Sequence, residues 1–247
     1  MRHLYVKIAS RKFLALVVIL AGMGVTSSAR TPQEKSAAQL VLEFKSAKYF
    51  WQQLEVGRKL VALGDTSVLQ EFETFLSDED RHLRGNAAFV LAGLGDDRGW
   101  NIIAAILDDR SPRPEGHGIP FGKWSLSGQI RADRYYAVHL FGILKDRRAV
   151  PTLIPLLRDP EVNYKVPWAL GEIGDKSAIR PLIAALGDES PDMRVTTIRA
   201  LEKLGAKEAL PNLRALLQDN EQTHNGKPIV SVAEVARAAI IKLEETP

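Results

Sequence analysis

The chain repeats one helical pattern of hydrophobic and polar positions. In "RHLRGNAAFVLAGLGD", residues 81–96, Leu83, Ala87, Val90, Leu91 and Leu94 recur at spacings of three and four. That spacing predicts a helix with one buried face. Gly95 follows, free to take the positive φ that ends a helix. The next stretch, "DRGWNIIAAILDD", places Trp100, Ile103, Ile106 and Leu107 on one face of a second helix. Three later stretches match it: "AVPTLIPLLRD", "AIRPLIAALGD" and "ALPNLRALLQD". Pro151, Pro181 and Pro211 fall in their first turns, where a missing amide hydrogen costs little. Pro155 lies deeper and predicts a bend.

Two aspartate series keep the same beat. Asp65, Asp96, Asp146 and Asp175, with Ala206 in the fifth place, are separated by 31, 50, 29 and 31 residues. Asp78, Asp109, Asp159, Asp188 and Asp219 show the same separations. The period is about 30 residues, broken once by an excursion of about 19, and such a period marks a stacked repeat architecture. Five two-helix units follow, at roughly 50–77, 81–109, 130–158, 161–187 and 190–218. Residues 34–46 read as an orphan second helix capping the front, with Val41 and Phe44 in register with Phe72 and Phe75. Residues 231–244 read as a lone first helix closing the back. No unit buries its apolar stripe alone, so neighbours must stack. The expected fold is therefore all-α, a solenoid over residues 30–247 with an inter-repeat insertion at 111–129.

The repeated hydrophobe-Arg-x-x-Ala, followed by a hydrophobic pair and "LGD", resembles the HEAT repeat, in the subgroup also found in phycobilisome lyases. The resemblance covers about residues 34–244 and implies a right-handed α-α superhelix. It also implies a ladder between neighbours, made by an Asp in the inter-repeat turn and an Arg six residues on. Asp78–Arg84 and Asp188–Arg194 have that spacing, Arg134 holds the matching place after the insertion, and Asn163 replaces the Arg in the fourth unit. An exposed pair contributes only about 0–1 kcal/mol, so the ladder is expected to set register rather than stability.

The N-terminus changes the reading of charge. The whole chain carries 33 Lys+Arg and 30 Asp+Glu, a net charge of +3. Residues 1–29 hold Arg2, Lys7, Arg11 and Lys12 and no acid, then the apolar run Phe13–Val25, then small residues Ser27 and Ala29. This is the pattern of a signal peptide cleaved after Ala29, and the run is short for a membrane span. Its removal leaves 29 Lys+Arg against 30 Asp+Glu, so nucleic acid is not an expected partner. The expected location is periplasmic or extracellular, with a membrane involved only if the segment is retained as an anchor. No cysteine is present, which excludes disulfides, Cys-ligated zinc and thiol catalysis by this chain.

Short catalytic motifs are missing. No HExxH, P-loop, GxSxG or EF-hand pattern occurs. Deoxyhypusine hydroxylases, HEAT-like arrays that do chemistry, bind iron through His-Glu dipeptides. The histidines after His3 are followed here by Leu83, Gly118, Leu140 and Asn225, so no such dyad forms and neither metal nor cofactor is expected. Acidic pairs such as Asp96–Asp97 and Asp108–Asp109 sit at predicted helix ends, where capping accounts for them.

Two surfaces remain. Positions equivalent to Phe89, normally solvated in such repeats, read Phe89, His139, Trp168 and Arg199. Four residues earlier they read Gly85, Tyr135, Tyr164 and Val195, and Tyr136 flanks them. Stacking makes these side chains an aromatic strip, which a protein rarely leaves bare. Either the insertion covers it with Ile119, Phe121, Trp124 and Leu126, or strip and insertion, Trp124 and Phe121 included, dock another protein or peptide. The second surface is the row of second helices, a groove exposing Asn101, Thr152, Arg180 and Asn212. The sequence alone leads to the expectation of a non-catalytic scaffold for protein interaction. The alternative is a lyase-like or chaperone-like accessory that holds a substrate in the groove.

Overall fold

The computed structural model describes residues 35–111, 125–225 and 228–245. Among them are twelve α-helices and no β-strand, with one isolated bridge between Gln222 and Ser231. The first helices of successive units are α2 (Phe50–Leu63), α4 (Arg81–Gly93), α6 (Leu126–Leu144), α8 (Val166–Ile173) and α10 (Pro191–Lys203). Each packs on the next, and α12 (Val232–Glu245) closes the row against α10. The second helices are α3 (Leu69–Glu73), α5 (Asp97–Asp108), α7 (Val150–Leu153), α9 (Ile179–Ala185) and α11 (Leu210–Ala215). The front cap α1 (Ala37–Ser46) takes the place of a second helix, with Phe44 in ring contact with Phe72 at 4.8 Å and Phe75 at 6.0 Å. None of the described helices is long and apolar enough to cross a membrane.

The beat in the sequence is the repeat of the core. Leu60, Leu91, Phe141, Leu170 and Leu201 occupy one position of the first helix in five successive units, and all are buried. Phe72, Ile103, Leu153, Leu182 and Leu213 do the same on the second helix. Each unit closes its own face against the next, as a solenoid requires.

Both aspartate series have a local cause. Asp65, Asp96, Asp146 and Asp175 cap second-helix segments, each accepting the amide two residues on. Such a cap contributes about 0.5–2 kcal/mol. Ala206 has no side chain to do this, and its helix starts uncapped. In the other series Asp78, Asp109, Asp159, Asp188 and Asp219 each accept the amide two residues on through Oδ1. That closes the inter-repeat turn. The residue before each cap takes a positive φ: Gly64, Gly95, Gly174 and Gly205, with Lys145 in the third unit at φ 56°.

The arginine ladder is present and differs from its expected form. Arg134 donates from Nη2 to Asp159 Oδ2 at 2.5 Å, from Nη1 to Glu161 at 2.6 Å and from Nε to the Leu107 carbonyl at 2.8 Å. Arg194 donates to Asp219 at 2.8 Å, to Glu221 at 2.8 Å and to the Asp188 carbonyl at 2.7 Å. Arg84 reaches the Asp78 carbonyl at 2.7 Å and lies 3.6 Å from Asp109. Arg84 and Arg194 thus tie the backbone of the turn before their helix to the carboxylate of the turn after it, while Arg134 reaches back to the end of α5. The arginines are buried, Arg134 at 2% and Arg194 at 8% accessible, while Glu161 and Glu221 lie at the exposed end of each rung. A buried charge that has lost its partners is costly, so the ladder contributes stability as well as register. A further buried pair, Arg81–Asp133 at 2.9 Å, joins α4 to α6 across the insertion.

Two boundaries move. The insertion does not run to residue 129: Ser125 caps α6, its Oγ accepting from the Gly128 amide, and the helix begins at Leu126. Pro155 ends α7 early, and Ile154–Arg158 continues as a 3-10 segment because a proline ring cannot follow a helical carbonyl four residues back.

Replacing Arg134 by Met removes its charge-assisted hydrogen bonds and is expected to lower stability by about 2–3 kcal/mol. The melting temperature then falls by about 5–10 °C. Arg98, whose pairs with Glu73 and Asp96 are exposed, serves as the control, and its replacement by Ala shifts the midpoint by at most a degree or two. Equal small shifts would show that the ladder is not a buried support.

Candidate functional site

The site is an aromatic surface on the first helices. Tyr135 and His139 lie one turn apart on α6. Their equivalents 29 residues on are Tyr164, in the 3-10 segment Asn163–Lys165, and Trp168 on α8. The repeat brings both pairs into contact: Tyr135 stacks on Tyr164 at 5.3 Å, and His139 on Trp168 at 4.9 Å with 20° between planes. Tyr164 is exposed, while Tyr135, His139 and Trp168 are partly so.

Close approach of α6 and α8 makes this possible. A Cβ on Gly142 would sit 2.5 Å from Trp168 Cζ3 and 3.1 Å from Ala169 Cα. Only glycine lets the indole lie flat there.

Lys165 completes the site. Its Nζ stands 3.5 Å from the centre of the Trp168 ring and 5.3 Å from that of Tyr135. The ring faces attract the cation. Burial pushes its pKa down to about 8, against a smaller opposing effect of Glu172. His139 is pushed down to about 4 by burial, then by Lys165 and Arg58, so its imidazole is neutral at neutral pH. Its Nδ1 is buried and finds no hydrogen-bond partner among the described residues. Burial raises the Tyr135 and Tyr164 hydroxyls, with Arg131 partly opposing the rise at Tyr164. The arrangement offers a flat aromatic face, cations at its edge and two basic groups whose charged forms are disfavoured. Perturbed groups of this kind gather where protons are moved.

The ring contacts continue forward. His139 touches Tyr136, Tyr136 touches Phe50 and His82, and Phe50 meets Trp51, which stacks on Tyr49 at 4.5 Å. Tyr49 and Trp51 are exposed. They escaped the sequence reading because they sit at the entry to α2, outside the repeating positions. Lys165 escaped because nothing in its spacing marks it. Its place three residues before Trp168 on a helical turn was the available signal.

Several expectations need correction. Tyr136 is buried, and its hydroxyl donates to the Asn86 side chain, so it supports the strip from below and meets no partner. Phe89 is buried too, against the glycine face at Gly57, and is not solvated. Leu126 opens α6 and is 47% exposed, so it belongs to the helix and not to a covering loop. Ile119, Phe121 and Trp124 lie outside the described residues, as does the leader at 1–29. On the second helices Asn101, Arg180 and Asn212 are exposed and Thr152 partly so, spread over four units. Among the described residues no group of three metal-ligating side chains gathers.

Residues 126–188 and 150–224 match the family of HEAT repeats, so this part of the chain carries HEAT repeats. It is 40% identical over 97 residues to phycocyanobilin lyase subunit alpha of Picosynechococcus sp., a match covering 34% of this chain and 35% of that one. It is 32% identical over 146 residues to bilin biosynthesis protein PecE of Nostoc sp., covering 58% and 53%. The matched part thus spans about half or less of the curated relatives' length. Among solved structures, a designed armadillo repeat protein aligns over 83% of this chain and 98% of its own at 17% identity, with a TM-score of 0.41, too loose to carry an argument. These relatives overturn the expectation of a non-catalytic scaffold, because proteins named for bilin lyase and bilin biosynthesis support the lyase-like alternative.

A titration of Lys165 by nuclear magnetic resonance is expected to show a midpoint near 8. Because the folded value lies below the unfolded one, the native chain loses this proton first. Stability therefore rises as pH increases from about 8 to the ordinary lysine range. A midpoint near 10.4, the value of a free lysine, would show that the side chain does not sit over the rings.

Proposed function

We propose that this chain is a lyase-like protein that holds a bilin, or a similar flat conjugated substrate bearing carboxylates, against the strip Tyr135–His139–Tyr164–Trp168. The observation that carries the reading is the similarity to the two bilin proteins. The surface suits such a substrate. Stacked rings favour an extended conjugated system. Lys165, with Arg58 and Arg131 near the strip, offers charge to carboxylates. Neutral His139 and the readily deprotonated Lys165 are the groups able to hold or move a proton during bond making or breaking. With no cysteine in the sequence, the substrate is not held through a thioether to this chain. The acceptor or donor polypeptide is the second partner, as befits a repeat protein. A leader at residues 1–29, with a periplasmic or extracellular destination, is a separate proposal resting on the charged head and apolar run alone.

Biliverdin serves as the probe. Titration is expected to quench tryptophan fluorescence with micromolar affinity. Trp168→Ala should weaken binding about tenfold or more, a loss of about 1.4 kcal/mol. Wild-type affinity should fall as pH rises through about 8, and Lys165→Met should remove that dependence. No binding at 100-fold higher concentration, or unchanged affinity in a folded Trp168→Ala protein, would end the proposal.

A further inference from the structure

The arginine ladder has a missing rung, and we propose that the vacancy binds an arginine side chain of a partner polypeptide. In three units the rung joins positions 25 residues apart: Arg84 to Asp109, Arg134 to Asp159 and Arg194 to Asp219. In each, Oδ1 of the Asp accepts the amide two residues on, and Oδ2 faces the guanidinium. The fourth unit keeps half of this. Asp188 Oδ1 accepts from the Ser190 amide at 2.9 Å as before. Its rung partner by register is Asn163, too short and uncharged to replace an arginine. Among the described residues Asp188 forms no ion pair.

The space is open. A cleft of about 680 Å³ lies between the second helices of units three and four, and Asn163 and Asp188 both line it. Its other walls include Ile154, Pro155, Leu157 and Pro181. Leu157 stands six residues before Asn163, the offset at which Arg84 and Arg194 find their backbone carbonyl. The cleft thus offers a carboxylate for the guanidinium fork and apolar walls for the methylene stem, the two halves an arginine needs. Arg158 lines the same cleft and makes no ion pair with Asp188, so the chain leaves the position unfilled. The occupant is an arginine rather than a lysine because the intact rungs use the planar fork, donating at once to carboxylate and backbone. It comes from a polypeptide because the guanidinium is a side-chain group and the cleft is reached from solvent past the exposed wall residues Arg158, Ala184 and Gly187.

The test uses the full chain and two short capped peptides, Ala-Arg-Ala and the same peptide with neutral citrulline, followed by amide shifts at Asp188 and Ser190. Millimolar binding of the arginine peptide is expected, with at least tenfold weaker binding of the citrulline form. Asp188→Asn should abolish the difference. Asn163→Arg should fill the rung, raise the melting temperature and block the peptide. Arg158→Ala should leave binding unchanged or tighter. Equal response to the two peptides, no response at all, or full binding in the folded Asn163→Arg protein would overturn the inference.

Discussion

The structure depends on how three inter-repeat turns are tied to the first helix of the unit before them. An aspartate closes the turn through one carboxylate oxygen, and the other oxygen receives an arginine from the first helix of the same unit. That arginine also binds backbone of the unit before, the Asp188 carbonyl for Arg194 and the Leu107 carbonyl at the end of α5 for Arg134. One side chain thereby fixes two turns about 25 residues apart, and apolar residues of equivalent units fall into register behind it. Packing supplies most of the burial, but packing alone is tolerant of slips. The directional, desolvated rung is not.

The site follows from that register. Arg134 is adjacent to Tyr135, and its partners Asp159 and Glu161 lie just before Tyr164. The rung therefore sets the distance at which the two tyrosines stack, and one turn further on it sets His139 against Trp168. Gly142 removes the last obstruction between the helices. Once the indole is flat, Lys165 has a ring face to stand over, and burial there lowers the pKa of both basic groups. Geometry and protonation at the site are consequences of the repeat, not additions to it.

Much of the fold was legible because its cause is periodic. The two aspartate series predicted the units, and both mark real caps and turns. The ring pairs were legible for the same reason, since 135 and 164, like 139 and 168, differ by one period. What was not legible is what breaks the period or depends on depth. Tyr136 and Phe89 belong to a face read as outward, yet Tyr136 packs on Phe50 and His82 and Phe89 lies against Gly57, and both are buried. Arg134 and Arg194 read as surface charges, and only the closed turn shows them desolvated. Lys165 stands at the position equivalent to Tyr136, and nothing in its spacing marks a cation there. Activity was illegible altogether, since a surface of stacked rings carries no short motif. It took the named relatives to replace the scaffold reading by a lyase-like one.

The central claim is that the Arg134 rung holds the ring pairs together. Nuclear Overhauser contacts between Tyr135 and Tyr164, and between His139 and Trp168, test it directly in the wild-type and Arg134→Met proteins. Both sets are expected in the wild type and both should weaken in the variant while helix content persists. Contacts that are absent from the wild type, or that survive undiminished without the rung, would contradict the account.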